Sequence, residues 1–436
     1  MNVTLKPKQR IVRKTLSVCP VCLERIDASI IHHGNDYFME KECSKHGSFK
    51  TVVWRGDQPS YEDWGSSFKS HDEDALHEGD CPTGCGLCAN HQQKTCCALV
   101  EVTSNCNMNC PMCYAGSKPS GPEPTVEELY ERFKCLVQQG STFVQLSGGE
   151  PTSRHDLPDI IAAAKLAGCE NIQLNTNGVW LGKDRKYAKA LRDAGLSFVF
   201  MQFDGTEDII HKKLRNRALL WEKTSAIRNC GEAAIGVTLV PTIVPGVNCH
   251  NIGSIIDFAI SNSPFVRGVH FQPITYIGRY PKPPENDDRI TLPEVLRAID
   301  TQTNSKFKST DFAPSRCDHP YCGFHGDFVI LPKKAILKLT KRDNESCCGD
   351  DAHLRNRNFV ARRWNRSIES EESVGDLDDY TELDAFSRRI KSHGFTITAM
   401  AFQDAYNLDI ARLQRCSLHV SHQDKMAPFC ARYLTL

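Results

Sequence analysis

The sequence predicts an α/β fold in which parallel strands alternate with helices, preceded by a small metal-stapled module. Three observations predict it. Six apolar strand-like runs begin roughly 25 to 45 residues apart between residues 97 and 280. Helical segments closing on glycine lie between them. Most of the 21 cysteines fall in tight sets with metal-ligand spacing. Alternating strands and helices imply a parallel sheet with helices outside, either doubly wound or closed as a barrel, with chemistry at the carboxyl ends of the strands.

Bulk properties narrow the classes. At roughly 150 residues per domain, 436 residues suggest two or three domains with ample core. The 53 basic residues balance 53 acidic ones, which argues against a protein held by nucleic-acid backbones or anionic lipid. Hydrophobic content of 40% fits a globule rather than a disordered chain. No apolar run reaches the ~18 residues of a membrane span. The basic start, MNVTLKPKQRIVRKTLSVCPVC, lacks an apolar h-region, so a cytoplasmic protein is expected. In a reducing compartment, clustered cysteines signal metal or iron–sulfur ligation rather than disulfides.

Residues 1–60 read as the metal module. Cys19-Pro-Val-Cys22 opens it and Cys43-Ser-Lys-His46-Gly47 closes it, with a hairpin turn at His33-Gly34-Asn35-Asp36. CxxC followed by CxxH fits a tetrahedral mononuclear site for zinc or iron. So short a segment lacks a sufficient core, and a metal supplies the missing stability. Residues 61–96 show no period and end in a second dense set, Cys81-Pro-Thr-Gly-Cys85-Gly-Leu-Cys88 with Cys96 nearby. Four thiolates suffice for a [4Fe–4S] cluster, and zinc remains an alternative. Cys97 competes with Cys96 as fourth ligand, since neighbours on a strand point oppositely.

Residues 97–280 carry the repeat. Its strands are ALVEVT (98–103), FVQLS (143–147), NIQLNT (171–176), SFVFMQF (197–203), IGVTLVP (235–241) and VHFQPI (269–274). The clearest helix, 126–139, starts on a Thr125/Glu128 capping box and ends at Gly140. From 281 the repeat stops. PKPPENDD reads as a linker, Thr291 and Glu294 cap one further helix, and the adjacent blocks RNRNFVARRWNR and ESEESVGDLDD read as solvated surface. Cys135 and Cys169 read as buried small hydrophobes. Cys347-Cys348 has no assigned role. His32, His33, His91, His250, His270, His319 and His325 read as surface or capped core residues, with His91 keeping a minor claim as a ligand.

The strongest chemical signal is Cys106-Asn-Met-Asn-Cys110-Pro-Met-Cys113-Tyr114, directly after the first strand of the repeat. Three thiolates hold three irons of a cubane and leave the fourth open to a small molecule. Ser147-Gly148-Gly149-Glu150-Pro151 ends the second strand, where glycines permit close backbone approach and a carboxylate can meet an ammonium. Asn175-Thr176-Asn177-Gly178 ends the third, and Gln202 and Asp204 end the fourth. The asparagine amides can meet ribose hydroxyls or a carboxylate, while Gln202 and Asp204 serve equally as structural caps or cavity lining.

In these motifs the chain resembles the radical S-adenosylmethionine (radical SAM) superfamily. The resemblance implies a partial (β/α)6 TIM-like barrel over 97–280. Cys106, Cys110 and Cys113 would carry a [4Fe–4S] cluster that cleaves SAM to a 5'-deoxyadenosyl radical. The Gly148-Gly149-Glu150 stretch would meet the methionine moiety of SAM, and Tyr114 its adenine. The order of cysteine motifs along nearly the whole chain resembles the subfamily of tetraether lipid synthases and 7,8-dihydro-6-hydroxymethylpterin methyltransferases. That implies a rubredoxin-like site (Cys19, Cys22, Cys43, His46) and two auxiliary [4Fe–4S] clusters. One would use Cys81, Cys85, Cys88 and Cys96. The other, in a C-terminal auxiliary-cluster region over 281–436, would use Cys317, Cys322, Cys416 and Cys430. The expected activity is C–C bond formation on, or methylation of, a small-molecule or lipid substrate. An electron donor such as flavodoxin or ferredoxin is implied, and no nucleic acid. Oxidative maturation of a peptide, and a non-enzymatic electron carrier or metal-dependent binding module, are the rival expectations. Binding of SAM separates the last from the rest.

Overall fold

Strand alternation and hairpin turns build the N-terminal module. A computed structural model describes residues 9–66, 81–82, 87–88, 90–117, 122–315, 317–340, 352–366, 383–422 and 425–434. In it, β1 (Arg10–Val18), β2 (Arg25–His33), β3 (Asp36–Cys43) and β4 (Gly47–Arg55) form an antiparallel sheet in chain order. The expected turn joins β2 to β3 through Gly34, whose φ of +67° is a glycine conformation. Ile30, Tyr37, Met39 and Trp54 bury one face of this sheet. Tyr61 stacks on Tyr321 with ring centroids 3.9 Å apart, and Trp64 Nε1 donates to Pro320 O at 3.1 Å. The module is therefore packed onto the C-terminal half rather than tethered beside it.

The six expected strands of the repeat are present. They are β5 (Cys97–Thr103), β6 (Phe143–Gly148), β7 (Asn171–Thr176), β8 (Phe198–Gln202), β9 (Gly236–Val240) and, after the two-residue β10 (Thr242–Ile243), β11 (Val266–Pro273). All six long strands are parallel, in the order β5-β6-β7-β8-β9-β11. The first crossover helix, Val126–Gln138, carries the full Thr125/Glu128 capping box. The Thr291/Glu294 box also forms, on the helix Leu292–Gln302.

Strands beyond residue 280 extend the same sheet at both edges. They are β12 (Ala313–Pro314), β13 (Gly323–Ile330), β14 (Ile336–Lys338), β15 (Gly394–Met400), β16 (Leu418–His422) and β17 (Lys425–Pro428). β15 runs parallel beside β11 and β16 parallel beside β5. Among the described residues the end strands β12 and β17 do not pair with each other, so the barrel is partial.

The two faces of the parallel strands differ. Val144, Leu146, Ile172, Leu174, Val199, Met201, Val237, Leu239, Val269 and Phe271 join the main apolar core against the helices. Their sequence neighbours Phe143, Gln145, Ser147, Asn175, Phe200, Gln202, Val240, His270 and Gln272 line an interior cavity. The helix Ala352–Trp364 closes the end where the strands start. Trp364 lies 5.7 Å from Phe198 and 4.6 Å from Phe200, ring to ring, and Arg357 donates to Thr95 O and Gly140 O. This corrects the expectation that the basic run 355–366 is solvated. Arg357 and Trp364 are buried because they seal a barrel end that would otherwise expose aromatic rings.

Candidate active site at the carboxyl ends of the parallel strands

The loop after β5 carries Cys106, Cys110 and Cys113, and three elements hold it. Glu150 N donates to Asn105 O and Gly149 N to Thr103 O, each at 2.8 Å. Cys113 pairs its backbone with Arg279 through two 2.9 Å bonds. Asn216 Nδ2 donates to Asn109 O at 3.0 Å and Arg215 to Met112 O at 3.2 Å. A Cβ on Gly148 would strike Thr103 O, and one on Gly149 would strike Asn105 O. These glycines let the ends of β5 and β6 touch, a role that precedes any contact with a ligand.

All three thiols line one cavity of about 320 Å³. Burial pushes Cys106 up to about 11, and Glu150, Cys110 and Cys113 add to it. Burial also raises Cys110, although the Arg215 guanidinium opposes it. Thiols that disfavour each other's ionisation in a buried site suit ligation to iron, whose positive charge reverses the penalty. The donor set therefore fits a [4Fe–4S] cluster.

The remaining expected residues converge on this cavity, with one exception. Tyr114, Ser147, Gly148, Gly149, Glu150, Asn175, Asn177 and Gln202 line it. Tyr114 Oη and Ser147 Oγ are 2.8 Å apart. The Glu150 carboxylate is buried and already engaged. It accepts from Thr152 N at 3.0 Å, Thr152 Oγ1 at 2.5 Å, Thr176 Oγ1 at 2.6 Å and Asn177 N at 2.7 Å. Burial still raises its pKa. Asn177 Nδ2 donates to Asn107 Oδ1 at 2.7 Å, tying the third strand end to the cysteine loop. Asp204 is the exception. It is absent from the cavity lining and instead clamps Arg215 at 2.7 and 2.8 Å. Burial opposes its ionisation, but Arg215 outweighs burial and holds the carboxyl low.

The structure also brings in residues that motif spacing did not single out. Arg215 lines the cavity. Lys223, fully buried, donates to Asn177 O, and burial lowers it to about 8. Gln145, His270 and Gln272 face inward. For the two glutamines a signal exists in the sequence, because glutamine recurs inside FVQLS, IQLNT, FMQF and HFQP at alternating register.

The outer cysteine sets divide as follows. Cys19, Cys22, Cys43 and His46 place their ligand atoms within 4.8 Å of one another. His46 Nδ1 is 3.5 Å from both Cys19 Sγ and Cys43 Sγ. Backbone N–H groups of the two tight turns help to lower Cys43 and, against burial, Cys19. Cys81 Sγ and Cys88 Sγ lie 3.6 Å apart, and Cys85 falls outside the described residues. Cys96 is a hydrogen-bonding neighbour of Cys317, which lowers Cys96 and raises Cys317. Both Cys96 and Cys97 border the main cavity, and burial raises Cys97 well above its ordinary value. Cys322, Cys416 and Cys430 line a separate small cavity with Arg412, whose Nε donates to Cys322 Sγ at 3.4 Å. Leu418, Phe402 and Phe429 border this cavity and the main one, so the two share a wall. His91 and His419 meet through their Nε2 atoms at 2.9 Å. Cys169 is buried as expected, but Cys135 is exposed, because it falls on the solvent side of a helix that buries Leu129, Phe133 and Leu136. Cys347 and Cys348 lie outside the described residues. Among the described residues no helix is long and apolar enough to cross a membrane.

The chain is similar to known proteins over nearly its whole length. The Radical SAM superfamily model matches residues 100–259, and the HMPTM N-terminal zinc ribbon domain matches residues 11–55. The 7,8-dihydro-6-hydroxymethylpterin dimethyltransferase of Methanocaldococcus jannaschii is 32% identical, covering 97% of this chain and 94% of that one. The Fe-coproporphyrin III synthase of Methanosarcina barkeri is 30% identical over 51% of this chain and 56% of its own. Among solved structures, methylornithine synthase aligns at 18% identity and a TM-score of 0.38, over 49% of this chain and 64% of that one. With a relative matched almost end to end and the three thiols set at the carboxyl ends of a partial barrel, the chain belongs to the radical SAM superfamily of enzymes, in the family of the M. jannaschii dimethyltransferase.

Proposed function

We propose that this enzyme methylates a carbon of a pterin, with 7,8-dihydro-6-hydroxymethylpterin as the substrate type. The near full-length similarity to the M. jannaschii dimethyltransferase carries the reading. When bound, the cluster and SAM would supply a 5'-deoxyadenosyl radical that takes hydrogen from an unactivated carbon, and a second SAM would give that carbon its methyl group and leave as S-adenosylhomocysteine, the reductant supplying the electrons. The chain's part is to place and shield that event. Cys106, Cys110 and Cys113 would hold the cluster. Glu150, already bonded to Asn177 N, fixes the strand ends around SAM. Tyr114 is positioned by Ser147 and by Phe429, whose ring centroid is 5.5 Å away. The barrel wall and the helix Ala352–Trp364 exclude water.

Auxiliary iron–sulfur centres at the outer cysteine sets belong to this reading, as does a flavodoxin- or ferredoxin-type electron donor. Cys322, Cys416 and Cys430 share one small cavity and fit one centre. The pairing of Cys96 with Cys317 favours a ligand arrangement that mixes the two sets implied by the resemblance.

The test is anaerobic turnover of the reconstituted chain with SAM, a strong reductant and the dihydropterin. A pterin product heavier by one or two methylene units, formed with 5'-deoxyadenosine, is the expected result. Formation of 5'-deoxyadenosine without any change in the pterin would overturn the substrate while leaving the radical chemistry intact.

A further inference from the structure

The cavity inside the barrel is mostly apolar and nearly free of charge. Its charged groups are engaged: Glu150 by Thr152, Thr176 and Asn177, Arg215 by Asp204, and Asp318 by Ser417 N and Oγ at 2.8 and 2.9 Å. Between them lie neutral amides. Gln173 Nε2 donates to Asn175 Oδ1 at 2.7 Å, Asn175 Nδ2 to Gln145 Oε1 at 3.4 Å, and Gln145 Nε2 to Gln173 Oε1 at 3.4 Å, a closed ring of three. These side chains satisfy one another.

His270 does not fit that pattern. It borders the same cavity from β11. Its Nδ1 is fixed at 2.8 Å from Thr398 Oγ1, directly opposite in the β11–β15 register. Among the described residues its Nε2 has no hydrogen-bond partner. The ring lies 5.5 Å from Phe200, which itself packs 4.6 Å from Trp364. Burial lowers the imidazole to about 4, so it is neutral near pH 7 and presents a single directional nitrogen. A hydrogen-bonding group pinned by a strand neighbour, beside an aromatic face, inside a chamber with no free charge, complements a flat neutral heterocycle. A saturated hydrocarbon chain would leave that nitrogen desolvated and unpaired, which disfavours it as the occupant.

We propose that His270 is a substrate-recognition residue, whose Nε2 holds a polar edge of the heterocycle while Phe200 covers its ring face. This rests on the pterin reading. It assigns to His270 a contact with the substrate rather than with SAM or the cluster.

The experiment is equilibrium binding of 7,8-dihydro-6-hydroxymethylpterin to the reconstituted full chain with SAM present, for wild type, His270→Phe and His270→Gln. Iron content, SAM affinity and substrate-free 5'-deoxyadenosine formation are measured alongside. His270→Phe is expected to weaken pterin binding by about tenfold or more. His270→Gln, which restores a polar nitrogen or oxygen, is expected to lose less. SAM affinity and substrate-free cleavage stay at wild-type levels in both. A His270→Phe protein with full iron content that holds the pterin as tightly as wild type would overturn the role of His270 and spare the pterin reading. Failure of the wild type itself to bind the pterin would overturn the pterin reading, and the role of His270 with it. Should His270→Phe not fold, Thr398→Val decides. Releasing the ring weakens pterin binding several-fold, and unchanged binding overturns the inference.

Discussion

The N-terminal metal site and the cysteine loop of the barrel use the same ligand chemistry toward different ends. In the N-terminal module three thiols and one imidazole converge within 4.8 Å, the four donors that a mononuclear tetrahedral site needs. In the barrel three thiols line a cavity of about 320 Å³ and would leave one iron of a [4Fe–4S] cluster without a protein ligand. A closed donor set can only stabilise. An open one can also react, and the wall around it decides on what.

The contrast is broken most sharply by removing one ligand from each side. Cys110→Ala is expected to abolish SAM cleavage, measured as 5'-deoxyadenosine, while the N-terminal metal and the melting temperature of the N-terminal module stay unchanged. Cys43→Ser should do the reverse. Structural zinc in small modules contributes on the order of 10 kcal/mol. Without it β1–β4 should become sensitive to limited proteolysis within 10–55, while the barrel cluster still loads. Loss of both functions in either single variant would show that the two regions are one cooperative unit.

The contacts between the regions offer a finer test. Arg13 of β1 bonds the buried Asp409, which also accepts from Thr15 Oγ1 at 2.7 Å. Burial alone would raise Asp409, but Arg13 outweighs it and holds the carboxyl at about 2. That is below the ordinary value of about 3.9. The pair therefore adds stability above about pH 4 and loses it as pH falls toward 2. Arg13→Ala leaves a buried carboxylate unpaired and should cost about 3–5 kcal/mol, read from chemical denaturation at neutral pH. It should also narrow the difference between wild type and variant as the pH is lowered.

Much of this contrast was legible in the sequence, for a physical reason. Ligands on tight turns and at strand ends are close in sequence, so CxxC, CxxH and CxxxCxxC spacing and the period of the strands expose them. Contacts that close through space were not legible. The pairing of Cys96 with Cys317 joins residues on either side of the whole repeat. The basic run 355–366 reads as surface until the open end of the barrel is there for Trp364 to fill. Asp204 reads equally as a structural cap or as cavity lining from its place in MQFDG, and only the fold shows that Arg215, on a later helix, claims it. His270 was hidden by its apolar neighbours Val269 and Phe271, which face the opposite side of the strand.

The smallest expected effect concerns whether Glu150 belongs to the closed or the open kind of site. Each of its oxygens accepts from a backbone N–H, Oε1 from Thr152 and Oε2 from Asn177. Glu150→Gln keeps the shape and removes a charge that burial disfavours. Whichever way the amide turns, its NH2 faces one of those two N–H groups and leaves it unpaired, at about 1–3 kcal/mol. The relief of desolvation offsets part of that, so the net loss of stability should be about 1 kcal/mol. A SAM dissociation constant that rises about tenfold with so small a stability change would make the carboxylate a ligand of the SAM ammonium as well as a brace. A constant that moves no more than the stability does would make Glu150 structural, leaving the backbone around Gly148 and Gly149 to meet SAM.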